Sequence, residues 1–190
     1  GVPPPPPPPP PPATAADERL AGWLCEALQG EKDPRCLLAG LECLRIALAA
    51  RSNLDSEVAE KVFDTTACYF PVAFTPPPNN PQGITKEMLV QALDAVLCGH
   101  PALQPHLLPF LMDKMTDGSK EDQIESIKLF AQCTQLWGFG EQGEHCRHLE
   151  QLAGVLTDEA TTPGAEDDLV EACMRGATQI GAAVVGHEAG

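Results

Sequence analysis

Cysteine and histidine stand together at two places in the chain, Cys98-Gly99-His100 and His145-Cys146-Arg147-His148, and either could supply two ligands to a metal ion. A zinc or iron–sulfur site of the usual kind needs four ligands, and there is no Cys-x-x-Cys to bring further ones close. These imidazoles read as helix-end or solvent-exposed groups, and neither a metal nor a cofactor is expected. Cys36 and Cys43 lie two helical turns apart on one side of a helix, among alanines. Packing of small residues accounts for them, with a reactive or ligating thiol pair as the alternative. Glu121-Asp122 and Glu166-Asp167-Asp168 are the densest acidic stretches. Both fall in the first turn of an expected helix, where the helix dipole favours carboxylates without any catalytic role. No Gly-x-Ser-x-Gly, P-loop or dinucleotide-binding pattern occurs. The chain is therefore expected to be no enzyme and to carry no catalytic residue.

The elements that would position these groups follow from composition and spacing. The 190 residues hold 12 basic and 27 acidic side chains, a net charge of −15. Such a surface repels phosphate backbones and argues against direct nucleic-acid binding. Aromatic residues make up 5% of the chain and hydrophobic residues 43%, so a core must be built from Leu, Ala, Val and Ile, a composition that favours helices. Apolar runs reach about six residues against the ~20 a membrane span needs, so no membrane partner is expected. Eight cysteines lie singly, mostly in apolar-periodic segments, and read as reduced, buried thiols of a cytosolic protein. With no initiator Met, the chain reads as a soluble, unsecreted part of something longer.

Pro3 to Pro12 form an unbroken run that reads as a polyproline spacer, or else as a ligand for profilin-like or SH3 grooves. Residues 1–13 are thus a low-complexity segment, and 14–190 a helical region. Eight helices are expected and no strand. Thr14 with Asp17 resembles a capping box ahead of Leu20, Trp23, Leu24 and Leu28. Asp33-Pro34 caps a second helix, with one stripe of Leu37, Leu41, Leu44 and Leu48 and another of Cys36, Ala39, Cys43, Ile46 and Ala47. A helix apolar on two sides is expected to pack between neighbours. Asn53 or Asp55 caps the third, Thr85 the fourth, and the fifth begins near Pro105 with Pro109 about one turn inside, where it removes a backbone bond and is expected to kink the helix. Asp117-Gly118 turns the chain into a sixth helix opened by Ser119 and Asp122. Two more follow, around Leu149 to Leu156 and from about Glu166 to Val185. Paired in order, they make four helical hairpins of HEAT-repeat type, stacked as an α-solenoid segment; an isolated helical bundle is the alternative.

Between the third and fourth helices, residues 69–85 differ in kind, holding Tyr69, Phe70 and Phe74, five prolines and Gly83. The prolines hold the chain extended, so the aromatics can be pinned against the repeat face. The segment is either a rigid crossover plugging a gap between hairpins or a partner-contact loop. In the second case Tyr69, Phe70, Phe74, Pro76, Pro77 and Asn79 are the contact residues.

Cys68-Tyr69-Phe70-Pro71 through Phe74-Thr75-Pro76-Pro77-Pro78-Asn79, then Pro81 and Gly83-Ile84, resembles the hallmark of the MMS-nineteen (Met-eighteen) family. Asp33-Pro34-Arg35-Cys36-Leu37-Leu38 and Leu107-Leu108-Pro109-Phe110-Leu111 with Asp113-Lys114 are similar to its flanking stretches. Ala73 and Asn80 are uncharged where acidic residues would be expected. The resemblance implies a HEAT-repeat scaffold, in cytoplasm and nucleus, of the cytosolic iron–sulfur assembly targeting complex. Its partners would be the subunits of that complex and apo iron–sulfur clients such as DNA helicases, polymerases and primase. The family is also tied to nucleotide excision repair and RNA polymerase II transcription through a helicase complex. In the family the assembly machinery docks on C-terminal repeats, whereas this chain corresponds to the N-terminal region. A homodimer of the longer parent stays open.

Overall fold

The computed structural model describes residues 15–78, 83–137, 144–161, 164 and 166–188, with side chains at all of these except 15–18, 144–151, 159 and 183–188. The polyproline run, the Thr14 cap and Asn79 lie outside the described residues.

Local chemistry sets the helix ends. Helix α1 (Ala15–Leu28) is followed by Gly30 at φ 73°, a left-handed conformation that glycine takes without a steric cost. Asp33 accepts a hydrogen bond from the Arg35 backbone N–H at 2.8 Å and opens α2 (Pro34–Ala49). The Arg35 guanidinium beside Asp33 holds that carboxyl down at about 2. Asp55, and not Asn53, caps α3 (Ser56–Ala67), again at 2.8 Å, and Thr85 caps α4 (Lys86–Leu97) through the Met88 N–H at 3.2 Å. A 3-10 turn at Pro101–Leu103, not foreseen from the sequence, is capped by the buried His100, whose Nδ1 accepts from the Ala102 N–H at 3.1 Å. Helix α5 (Gln104–Asp117) runs unbroken through Pro109. Ser119 and Asp122 then close a reciprocal cap on α6 (Lys120–Trp137), with Asp122 Oδ2 accepting from the Ser119 N–H at 2.9 Å. Helices α7 (Glu144–Thr161) and α8 (Asp167–Glu188) complete eight α-helices, with no strand among the described residues.

The helices lie in two layers. In one, α1 packs on α3, α3 on α5 and α5 on α7; in the other, α2 packs on α4 and α6 on α8. The pairs α1–α2, α5–α6 and α7–α8 face each other across the layers, while α3 and α4 touch more thinly because the crossover separates them. Leu41, Leu44 and Leu48 of α2, Leu93 and Leu97 of α4, Leu107, Leu108 and Leu111 of α5 and Phe130 of α6 are buried between the layers. Each such side chain contributes about 1.5–3 kcal/mol on burial. Exposed ion pairs then join neighbours within a layer: Glu26–Lys61 at 3.0 Å links α1 to α3, Lys86–Glu121 links α4 to α6, and Lys120–Asp168 at 3.0 Å links α6 to the start of α8.

Two expectations, that the second stripe of α2 packs between neighbours and that the cysteines are buried, are corrected by the structure. Helix α1 buries Ala21, Cys25 and Leu28, while Leu20 and Trp23 are 44% and 62% exposed. Small residues face inward there because α1 and α2 approach so closely that a Cβ on Gly40 would sit 2.5 Å from Leu28 Cδ2. The second stripe of α2 does not pack between neighbours: Cys36, Ala39, Cys43 and Ile46 are exposed, because α2 meets α1 and α4 through its leucine stripe. The cysteines divide accordingly, with Cys25, Cys98, Cys133 and Cys173 buried and Cys36, Cys43 and Cys68 exposed.

Gly118 sits between α5 and α6 at an ordinary negative φ, but a Cβ there would meet Lys114 O at 2.2 Å and Asp122 Cβ at 2.6 Å. Gly118→Ala should therefore cost about 1–3 kcal/mol in a denaturant titration. Asp94 on α4 is half-buried, and burial together with the Glu125 carboxylate raises its pKa from 3.8 to about 7, against the pull of Lys128. The unfolded chain releases that proton near pH 3.8, so the folded form's extra proton stabilises at low pH and its contribution is lost as pH rises through about 7. Asp94→Asn should match the wild type near pH 4 and exceed it at pH 8 by about 1–3 kcal/mol, read from paired thermal melts.

Candidate partner-binding groove

The segment after α3 is built to be held. Cys68 caps the helix, and the Tyr69 and Phe70 N–H groups bond back to Thr66 O and Ala67 O at 3.0 and 3.1 Å. The Tyr69 hydroxyl donates to Leu28 O, which also accepts from the Glu31 N–H, and lies 3.2 Å from Glu31 O, so it ties the segment to the end of α1 and the turn after it. Burial pushes the Tyr69 phenol up, which keeps the proton it donates. Phe70, beside a cis peptide to Pro71, meets Phe110 of α5 edge-on with ring centroids 5.8 Å apart; Phe110 meets Phe63 of α3 at 5.6 Å. Beyond it the chain alternates as extended backbone does, with Val72 buried, Ala73 exposed and Phe74 half-buried.

Between this segment and the helices lies a groove of ≈ 310 Å³. Tyr69, Val72 and Phe74 form one wall, Leu37 and Leu41 of α2 with Leu89 and Leu93 of α4 form the other, and Glu31 and Lys32 stand at the rim. Cys68 also lines it; the residue is exposed overall, its thiol is bonded to Thr65 O at 3.1 Å, and desolvation pushes that thiol up. The lining can hold an apolar side chain of a partner and offers no activated nucleophile or acid–base pair.

Of the sequence-predicted contact residues, Tyr69 and Phe74 line the groove and Phe70 is buried beneath it against α5. Pro76 and Pro77 are exposed beyond the groove, and Asn79 lies outside the described residues. Val72 and the four leucines were not anticipated as lining; the alternation of Phe70, Val72 and Phe74 was the available signal for the first of them. The acidic stretches serve helix ends: Asp122 caps α6, Glu121 pairs with Lys86, and Glu166 and Asp168 both pair with Lys120. Among the described residues no three His, Cys, Asp or Glu side chains are placed to hold a metal ion, and the side chains of His145, Cys146 and His148 lie outside them. No described helix is long and apolar enough to cross a membrane.

Residues 13–160 match the family MMS19_N, described as Dos2-interacting transcription regulator of RNA-Pol-II. The MMS19 nucleotide excision repair protein homolog of Danio rerio is 37% identical over 119 residues, covering 63% of this chain and 11% of that protein. Its counterpart in Homo sapiens is 36% identical over 113 residues, 60% of this chain and 11% of that protein. The one in Arabidopsis thaliana is 28% identical over 125 residues, 64% of this chain and again 11% of the relative. The chain thus spans about a tenth of the length of these relatives. With the match running from the start of α1 almost to the end of α7 and taking in the groove, the chain belongs to the MMS19 family, as a segment of its N-terminal region.

Proposed function

We propose that this chain is a non-enzymatic docking segment of a scaffold that brings apo iron–sulfur clients, such as DNA helicases, polymerases and primase, to the cytosolic iron–sulfur assembly targeting complex. The observation that carries the reading is the apolar groove under the Tyr69–Phe74 crossover, a feature suited to gripping a peptide side chain. A surface of this kind promotes transfer by keeping two partners together, raising their effective concentration to the mM range. Partner chemistry complements the groove and the overall charge: an apolar anchor flanked by basic residues suits an apolar cleft on a chain of net charge −15. The reading expects the protein in both cytoplasm and nucleus, where such clients are made and used.

A second reading, a nucleotide excision repair or RNA polymerase II coactivator acting through a helicase complex, is favoured by the names that the relatives and the family carry. The two differ in the state of the client. The scaffold reading requires preference for a helicase lacking its cluster, and the coactivator reading requires binding to the loaded enzyme.

Immobilised chain should therefore recover apo helicase over holo helicase. Phe74→Ala should lower that recovery about tenfold, an anchor worth about 1–2 kcal/mol, while Leu136→Ala, at an exposed site on α6 away from the groove, should not. Equal recovery by Phe74→Ala would remove the groove from client binding, and preference for the holo enzyme would favour the coactivator reading. Tyr69→Phe, which deletes the bond to Leu28 O, should lower stability by about 1 kcal/mol in the same denaturant assay and weaken recovery in parallel.

A further inference from the structure

Cys98 ends α4 and Cys133 lies within α6, 35 residues on, yet their Sγ atoms are 2.7 Å apart. That is about 0.7 Å beyond the length of a disulfide bond, so the two sulfurs already stand within reach of each other. The approach is fixed by more than the sulfurs. Trp137, one turn along α6, donates its Nε1–H to Cys98 O at 3.0 Å, and Lys86–Glu121 ties the other end of α4 to α6. The pair is 4% and 0% exposed, and it takes no part in the groove described above.

We propose that Cys98 and Cys133 are an oxidation site at which hydrogen peroxide converts two thiols to an intrachain disulfide that braces α4 to α6. Cys98, at the helix end and the less buried of the two, is the attacking sulfur. Its sulfur takes one oxygen of the peroxide as the O–O bond breaks, giving a sulfenic acid; the second oxygen leaves as hydroxide and picks up the proton the Cys98 thiol gives up, forming water. Cys133 sulfur then attacks the sulfenic sulfur; the S–S bond forms, the S–O bond breaks, and the Cys133 proton leaves with the hydroxyl as a second water. Two electrons pass from the sulfurs to the peroxide, and the sum is two thiols plus one peroxide to one disulfide plus two waters. Burial and the neighbouring Cys98 push the Cys133 thiol up, so it is the contact with Cys98 Sγ, and not thiol acidity, that favours the second step. Closeness of the two sulfurs, and not exposure, is what sets this pair apart from Cys36, Cys43 and Cys68. Because α4 also carries Leu89 and Leu93, the bond fixes one wall of the groove against α6.

The test uses the whole chain, treated with hydrogen peroxide, denatured, alkylated and mapped by peptide mass spectrometry. The expected result is a Cys98–Cys133 cross-linked peptide pair lighter by two hydrogens than the reduced pair, reversed by dithiothreitol, with a higher melting temperature for the oxidised chain. Trp137 gives a second readout: in Trp23→Phe, the remaining tryptophan emission should fall on oxidation and recover on reduction. In Cys133→Ser, dimedone should trap a sulfenic acid at Cys98 and no cross-link should form. Recovery of Cys98 and Cys133 as alkylated thiols while the exposed Cys36, Cys43 and Cys68 are oxidised would overturn the proposal. So would cross-links that scatter among all the cysteines. The wild-type map decides the matter even if the serine variant fails to fold.

Discussion

Everything in this molecule rests on helices that cannot bury their leucines alone. The stripe Leu37, Leu41, Leu44 and Leu48 covers one side of α2 and finds shelter only because α1 and α4 close over it. Leu107, Leu108 and Leu111 of α5 are likewise covered from both layers, by α6 and by α3 and α7. Each pair is therefore a component of its neighbours' core, and the layers extend by repetition of that exchange. The ion pairs between neighbours are exposed and add little by comparison.

The groove follows from an exception to this repetition. Between α3 and α4 the chain inserts residues 68–85 where other pairs have a short turn. Its inner half behaves as core, with Phe70 and Val72 buried and Tyr69 bonded to the end of α1. Its outer half, from Thr75 to Pro78, stays exposed. A packed inner strand of chain holding a half-open apolar wall offers shape and no reactivity, in keeping with a role in holding other proteins together.

Helix placement was legible in the sequence because caps are local. Asp33, Asp55, Thr85 and the Ser119–Asp122 pair each act within three residues, so the pattern and the structure coincide. The importance of the Tyr69–Phe74 segment was legible too, from its concentration of aromatics and prolines. Which side of a helix would be covered was not. Leu20, Trp23 and Ile46 keep a helical period and are exposed, since spacing defines a stripe without saying whether another helix lies opposite. The groove's leucines and the Cys98–Cys133 contact join residues far apart in the chain. Such meetings depend on tertiary packing, to which no local spacing points.

The crossover also has a mechanical consequence. Between α3 and α4 stands a wedge of side chains that reaches other helices, Phe70 against Phe110 of α5 and Tyr69 against the end of α1. Because the wedge reaches α1 and α5 at once, a shift of the crossover is felt by both of those helices. The cleft has that same segment for a wall, so its width and the seating of the wedge are linked.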